Sequence, residues 1–399
     1  MITNIVEDSI GWLEGFRIDD IPSNLPKGIS VHLNNGVIGL KSRGMVGSIP
    51  LLNGDTVEII PKIGQVNFLA MLFKAEGELD SLVKEFETFV ESSIDDIESF
   101  TSIVFRCFVV CLDEILRKSP IFCRKWESRN LTYIQGRVDV LQTVENLAKG
   151  SKTPISTKIK ERTLDSAENR ILTEAAIRVL ANLSDSSDHL KIRVIHQWLG
   201  KFERSKTITS DLNRVDRMFA LGAYGGSRDY YRKALMLAKI ILGASGIGIN
   251  GEEAINTDAT LLNSADIFEK YIRSVIANSY SESGYIVKKG DGRQTLYVDG
   301  SFSLEPDVLI ERDSKVILIA DAKYKIPDSK DHYQMASYLT SFGVQEGVLL
   351  APNMTEDTIK IKEYLTESNQ IIREVYLPMA NLSETENFLS KLLATFDLS

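Results

Sequence analysis

The chain has 399 residues, enough for two or three domains, and its 43% hydrophobic and 25% charged residues are the balance of an ordinary globular protein. No apolar run reaches the ~18 residues that a membrane span needs; the best candidate, 103–116, is broken by Arg106, Asp113 and Glu114. Three cysteines with no C-x-x-C pair and four scattered histidines exclude a zinc spacing, and the absence of a basic leader or signal-like apolar block at residues 1–15 leads us to expect a cytoplasmic location.

The net charge of −9 argues at first against nucleic acid, but its distribution is uneven. Residues 1–98 carry 7 Lys/Arg against 16 Asp/Glu, residues 99–250 carry 25 against 15, and residues 251–399 carry 14 against 24. A basic middle between acidic ends places the grip on any polyanion mainly in the middle.

In chain order, residues 28–63 alternate apolar and polar positions between Asn-Asn-Gly and Asn-Gly-Asp turns, which predicts a small sheet or partial barrel. Residues 76–98 form an acidic stretch whose Leu79, Leu82, Val83, Phe86, Phe89 and Val90 follow helical spacing. It reads as an amphipathic helix packed on the rest of the chain or facing a partner. A strong helix follows at 99–118, with Ile103, Val104, Cys107, Phe108, Cys111 and Ile115 on one face. Tyr133-Ile-Gln-Gly-Arg-Val-Asp-Val reads as a short strand, and 168–183 as another amphipathic helix. Between 191 and 206, five Lys/Arg residues are interleaved with Trp198 and Phe202, which suits either a nucleic-acid backbone or an exposed face beside a core tryptophan. The glycines of 222–250 do not form G-x-x-x-x-G-K-[ST], nor does any other stretch, so no nucleotide site is expected in this chain. They bound a helix over about 228–242.

The C-terminal third opens with a helix over 265–279 that carries Glu269, then strands at 285–288 and 296–298. The stretch 304–325 reads as two strands joined by a polar turn at 312–315. The second strand, Val-Ile-Leu-Ile-Ala-Asp-Ala-Lys, has the β-branched apolar run of a strand buried on both faces. Asp321 and Lys323 interrupt that run on one side of the strand, because i and i+2 share a face. Asp307, at the start of the preceding strand, reaches the same face if the two strands pair. Two carboxylates beside one ammonium suit a divalent metal, and hard oxygen ligands suit Mg²⁺. The lysine would orient or deprotonate a water, or stabilise charge on a phosphate, which is the chemistry of metal-assisted phosphodiester hydrolysis. The plain alternative is a salt bridge at a sheet edge. The next helix, 331–342, holds Gln334 and Tyr338 four residues apart on one face, able to pin the Lys323 strand or to meet a DNA backbone. Strands at 347–350 and 375–377 and a final helix follow. The whole reads as an α+β multidomain chain: a β-rich N-terminal domain with an acidic helix (1–98), a basic and mainly helical middle (99–250), and a C-terminal α/β core (251–399).

Pro306-Asp307, Asp321-Ala-Lys323 and Gln334-x-x-x-Tyr338 together resemble the PD-(D/E)xK nuclease superfamily, with the extra glutamine–tyrosine motif of its RecB-like branch. The chain more closely resembles the McrC family, nuclease subunits of McrBC-type modification-dependent restriction systems. The resemblance runs, in family order, through Ile134-Gln-Gly-Arg-Val-Asp, Glu168-Asn-Arg-Ile-Leu, Asp229-Tyr-Tyr-Arg-Lys-Ala, Phe268-Glu-Lys-Tyr, Glu305-Pro-Asp-Val-Leu and Asp321-Ala-Lys-Tyr, over roughly residues 100–380. Glu58-Ile-Ile-Pro-Lys-Ile-Gly resembles the longer chains of that family.

The resemblance implies a Mg²⁺-dependent endonuclease acting on double-stranded DNA. Asp307, Asp321 and the Ala322 carbonyl would hold the metal, Lys323 would act on water or phosphate, and Glu269 is a further ligand or water-positioner. It also implies a partner, an McrB-like AAA+ ring that hydrolyses GTP, is stimulated by this chain and reads the modified base. Two other readings stay open: a regulatory or scaffold subunit with an incidental nuclease fold, and a nuclease that needs no NTPase.

Overall fold

The computed structural model describes residues 2–23, 25–75, 100–182, 189–243, 260–281 and 283–396. The acidic stretch 76–98 lies outside them. The described chain forms two compact units: one gathers those of residues 1–101 and 260–399, and the other those of 102–243. The first and last of the three expected regions therefore share one unit, which the middle region interrupts in sequence.

The first unit begins with strands β1 (Ile2–Val6) to β6 (Thr56–Ile60). β2 (Ile10–Leu13), β4 (Val37–Ser42) and β3 (Ile29–Asn34) form a three-stranded antiparallel sheet. β1 pairs parallel with β6, and β5 (Met45–Pro50) lies antiparallel on the other side of β6. Helix α1 (Gln65–Ala75) follows, with Phe68 through Phe73 buried.

In the second unit, helix α2 (Phe100–Lys118) leads into the ribbon β7 (Cys123–Leu131), β8 (Arg137–Val138) and β9 (Ile155–Thr163). The stretch read as a strand around Gly136 keeps only two paired residues. Asp139 stops it by accepting a bond from the Gln142 amide and capping α3 (Val140–Ala148). Helices α4 (Ala167–Asn182), α5 (His189–Leu199), α6 (Ile208–Ala220) and α7 (Asp229–Gly243) complete the unit. Two segments of the family resemblance meet in its core. Tyr231 donates to Asn169 Oδ1 at 2.7 Å, and Asn169 donates to the carbonyls of Ile121 and Leu164. Trp198 is fully buried, donates to Thr173 Oγ1 at 3.0 Å and stacks on Phe202 at 4.0 Å. It is a core tryptophan, so of the two readings of 191–206 the structure has the exposed basic face beside a core tryptophan.

The chain returns to the first unit with β10 (Thr260–Asn263), which pairs antiparallel with β5 and completes a four-stranded sheet ordered β1-β6-β5-β10. Leu261 joins Ile5, Leu13, Leu40, Ile49 and Ile59 in its core. Asn263, the last residue of β10, then caps α8 (Ser264–Tyr280) through the amides of Ala265 and Asp266. α1 packs along α8.

The remaining strands form a six-stranded mixed sheet, β11 (Ile286–Lys288), β12 (Val308–Arg312), β13 (Lys315–Ala322), β14 (Glu346–Asn353), β16 (Ile371–Pro378) and β15 (Lys360–Leu365), in that order. β13, β14 and β16 run parallel; the other pairings are antiparallel. The expected strand at 296–298 is absent. Only the isolated Thr295–Ser303 bridge forms there, and Val298 is fully exposed, so no apolar face holds a ladder. β15 was not foreseen, because every residue of this edge strand is exposed and Lys-Ile-Lys-Glu-Tyr-Leu does not alternate apolar and polar positions throughout. Helix α9 (Ser329–Phe342) covers one face of the sheet, placing Met335, Tyr338 and Leu339 against Leu309, Ile319, Leu349 and Ile372. Gly347 permits the close approach: a Cβ there would come within 2.5 Å of Met335 Sδ. α10 (Leu382–Ser390) and α11 (Leu392–Thr395) close the unit. No described helix is long and apolar enough to cross a membrane.

Because Leu261 reaches its core from two hundred residues away, Leu261→Ala should destabilise the N-terminal sheet by about 2–5 kcal/mol. Calorimetry should show a lowered transition; an unchanged melting profile would contradict the role given to β10.

Candidate active site

The site grows from the β12–β13 hairpin. Arg312 pairs with Lys315 across a two-residue turn in which Asp313 and Ser314 both have positive φ, 52° and 63°. Such a turn matches the right-handed twist of its strands, and aspartate tolerates the conformation better than a β-branched residue would. A bulge between Ile310 and Glu311 adjusts the register, after which Leu309 faces Ile319 and Val308 faces Ala320. Continuing that register sets Asp307 beside Asp321. By alternation Asp307 and Asp321 lie on the face of Leu309 and Ile319, the one covered by α9.

Asp321 is 2% exposed, and Asp307 is half-buried. Asp307 Oδ2 accepts the Ala322 amide at 3.0 Å, which ties the two strands together where the ladder ends. Burial, then the negative charges of Asp321 and Glu269, push the Asp307 carboxyl up to about 8. Lys323 Nζ lies 2.6 Å from Asp321 Oδ2, in a geometry that leaves this buried oxygen without an aligned hydrogen-bond donor among the described residues. The same ammonium donates to Gln334 Oε1 at 2.9 Å, and Gln334 Nε2 donates to the Tyr338 hydroxyl at 2.7 Å. Burial pulls the Lys323 pKa down, but Asp321, Asp331 and Asp307 outweigh it and hold the lysine above its ordinary value. These carboxylates favour the charged form of Lys323.

The structure therefore brings Asp307, Asp321, Lys323, Gln334 and Tyr338 together, with the Gln334–Tyr338 pair bonded through Gln334 to the Lys323 ammonium. Glu269 lies close enough to raise the Asp307 pKa, but its Oε1 is held by Arg273 at 2.8 Å and Lys289 at 2.7 Å. Burial would raise the Glu269 carboxyl; these two cations reverse that and hold it below the usual glutamate range. Three supporting residues were not recognised in the sequence. Asp331, 6% exposed, lies 3.7 Å from Lys323 and 2.8 Å from Lys325 while closing a capping box with Asp328. Arg273 also donates to the Asp307 carbonyl at 2.9 Å, and Lys62 donates to the Tyr324 carbonyl. The Asp328-x-x-Asp331 spacing is a legible helix-start signal; neither Arg273 nor Lys62 has a local one.

Among the described residues no group of three or more His, Cys, Asp or Glu converges as a complete metal cage. Two carboxylates, one raised by its neighbours and one with an oxygen lacking an aligned donor, are the hard, incomplete donor set that suits Mg²⁺, whose remaining positions go to water and phosphate oxygens. The residues fit such an ion.

The model of the McrBC 5-methylcytosine restriction system component family matches residues 40–352. The chain belongs to this family. No curated protein matches it in sequence. Among solved structures, a chain of the refined half-complex from the tetradecameric assembly of Thermococcus gammatolerans McrB AAA+ hexamers with bound McrC is similar over 99% of this chain and 100% of its own, with 14% identity and a TM-score of 0.62. A chain of the cryo-EM structure of the Thermococcus gammatolerans McrBC complex covers 70% of this chain and 88% of its own, with 12% identity and a TM-score of 0.47. The first likeness is one of fold. The McrBC family match spans both units, including all of the 102–243 unit and both candidate carboxylates.

A raised carboxyl pKa has a signed consequence. Between about pH 4 and 8 the unfolded chain releases the Asp307 proton while the folded chain keeps it, so this group's contribution to stability falls as pH rises through that window. In chelator, Asp307→Asn should raise the thermal midpoint more at pH 8 than at pH 5. Added Mg²⁺ should raise the midpoint of the unaltered protein at pH 8 but not that of the variant. Equal responses of both proteins would refute the assignment of Asp307.

Proposed function

We propose that this McrBC-family chain is the Mg²⁺-dependent DNA endonuclease subunit of a restriction system, with a PD-(D/E)xK core, acting with a GTP-hydrolysing AAA+ ring whose GTPase it stimulates. The observation that carries the reading is the convergence of Asp307, Asp321, Lys323, Gln334 and Tyr338 on one face of the six-stranded sheet, with Lys323 ion-paired to Asp321 and donating to Gln334. A salt bridge at a sheet edge would need neither a second carboxylate raised to about 8 nor a Gln–Tyr pair aimed at the lysine.

In this reading Asp307, Asp321 and the Ala322 carbonyl hold the metal. When bound, the ion polarises the scissile phosphate and makes a water acidic enough to attack at neutral pH. Lys323 presents a protonated ammonium to the negative charge that grows on the phosphate, and its fixed position means that little reorganisation is needed as that charge develops. Gln334 turns its carbonyl oxygen to Lys323 because Tyr338 engages its amide nitrogen, so the pair sets the direction of the cation. Glu269 adds negative potential to the metal side, with Arg273 joining it to the Asp307 backbone. Exposed Arg124, Lys158 and Lys160, on one face of the paired strands β7 and β9, would give the middle unit a surface for the DNA backbone.

The partner ring follows from family membership together with the neighbour that contains McrB hexamers with bound McrC. In a cleavage assay with the neighbour-encoded NTPase, GTP and Mg²⁺, Asp307→Ala and Lys323→Ala should each lower DNA cutting by at least about 100-fold. Both should still stimulate the partner's GTPase. Undiminished cutting by either variant would remove the nuclease assignment, and loss of stimulation in both would favour a regulatory subunit.

A further inference from the structure

We propose that Lys62, from the Glu58-Ile-Ile-Pro-Lys-Ile-Gly segment, is a positioning residue for Lys323, so that the N-terminal sheet is part of the cutting site. The inference rests on the nuclease reading above and concerns residues of the same compact unit. Its starting point is where the catalytic strand stops. The β13–β14 ladder ends with Ala322 opposite Leu350, and the Lys323 amide still donates to the Leu350 carbonyl at 2.8 Å. One residue further, the chain has left the sheet, and the Tyr324 carbonyl has no ladder partner.

Lys62 supplies that partner. Its Nζ donates to the Tyr324 carbonyl at 3.0 Å, pairs with Asp8 Oδ2 at 2.7 Å and sits 4.0 Å from the centroid of the Tyr324 ring. Its backbone amide donates to Glu7 Oε2 at 3.2 Å, the oxygen that also faces the Tyr324 hydroxyl at 3.4 Å. Tyr324 is 6% exposed, and its other neighbour is Phe268, 5.5 Å away on α8, one residue before Glu269. The tyrosine is thus clamped between the N-terminal sheet and the helix that carries Glu269. On the following residue, Lys325 is tied to Asp328 and Asp331. Lys323 therefore rides on a short backbone segment fixed at three points: Leu350 before it, then Lys62, then the start of α9.

The chemistry selects lysine at position 62. A neutral donor would satisfy the Tyr324 carbonyl, but only a long cation does so while pairing with Asp8 and lying against the tyrosine ring. None of its contacts is with Asp307 or Asp321, so its action on the reaction runs through the backbone of Tyr324. A shift of about 1 Å in a reacting group is enough to cost up to about 100-fold in rate. The sheet of β1, β5, β6 and β10 then contributes to cutting as well as to any contact with a partner.

The test compares Lys62→Met, Lys62→Arg and Asp8→Asn in the complete chain, assayed with the partner NTPase, GTP and Mg²⁺ well below each protein's melting point. Lys62→Met should lower kcat for cleavage about 10- to 100-fold, with KM for DNA and stimulation of the partner's GTPase unchanged. Lys62→Arg should recover most of the loss, and Asp8→Asn should lower kcat a few-fold. A second readout does not depend on cutting: acylation of Lys323 by an amine-reactive probe, followed by mass spectrometry, should be faster in Lys62→Met. Unchanged kcat in folded Lys62→Met, or unchanged Lys323 labelling, overturns the proposal, as does a loss that appears only as a lower melting point. If Lys62→Met does not fold, the kcat and labelling of Asp8→Asn decide in the same way. If the unaltered chain does not cut at all, the nuclease reading has failed, and labelling alone decides whether Lys62 positions Lys323.

Discussion

The structure of the unit that holds the candidate site depends on a charge imbalance in a nearly dry place. Asp307 and Asp321 face the same side of a buried sheet with one ammonium, Lys323, to balance them. Burying charge is unfavourable unless each ion finds partners of good geometry, and the surrounding elements supply them. The Ala322 amide donates to one oxygen of Asp307, Gln334 accepts a hydrogen bond from Lys323, and Asp331 adds a second acidic neighbour to that lysine. What remains uncompensated shows in the raised pKa of Asp307, set first by burial and then by the charges of Asp321 and Glu269. In the proposed reading, a divalent cation would make up that deficit.

The geometry that maintains this imbalance comes from separate parts of the chain. The positive-φ turn at Asp313–Ser314 and the bulge near Ile310 set the register of the two acidic strands. Helix α9 delivers Gln334, Tyr338 and Asp331 together because its apolar side is anchored in the sheet by Met335 and Leu339. Helix α8 delivers Glu269 and Arg273 from the segment that follows β10. The N-terminal sheet reaches the end of β13 through Glu7, Asp8 and Lys62. Membership in the McrBC family fits this economy, since the folded unit that would cut also carries the N-terminal sheet.

Much of the site was readable in the sequence because its signals are local. The apolar run before Asp321 could only be a buried strand, the i, i+2 spacing put Asp321 and Lys323 on one face, and the i, i+4 spacing aligned Gln334 with Tyr338. Features without a local signature escaped. Lys360–Leu365 forms a strand only because β16 offers an edge, and nothing in its broken alternation says so. Residues 296–298 have strand-like side chains but no neighbour to pair with beyond one bridge. Trp198 among basic residues matched a nucleic-acid pattern, yet a hydroxyl 25 positions earlier, on Thr173, captures its indole N–H inside the core. Lys62 and Tyr324 are 262 residues apart, a separation at which periodicity carries no information.

The parentage of the N-terminal sheet has a consequence for how the protein is made. Three of its strands, β1, β5 and β6, are complete by Ile60, but β10 begins at Thr260. At typical synthesis rates of roughly 5–20 residues per second, β5 leaves the ribosome with one edge unpaired for roughly 10–40 seconds. During that interval the whole middle unit emerges and has time to fold. The unpaired edge of β5 displays the backbone of 45–48, beside the Val46 side chain that ends up fully buried, so the nascent chain passes through a period when another strand could dock there. Prompt folding of the middle unit shortens the reach of the loop that β10 must close, which favours the chain's own strand over a neighbour's.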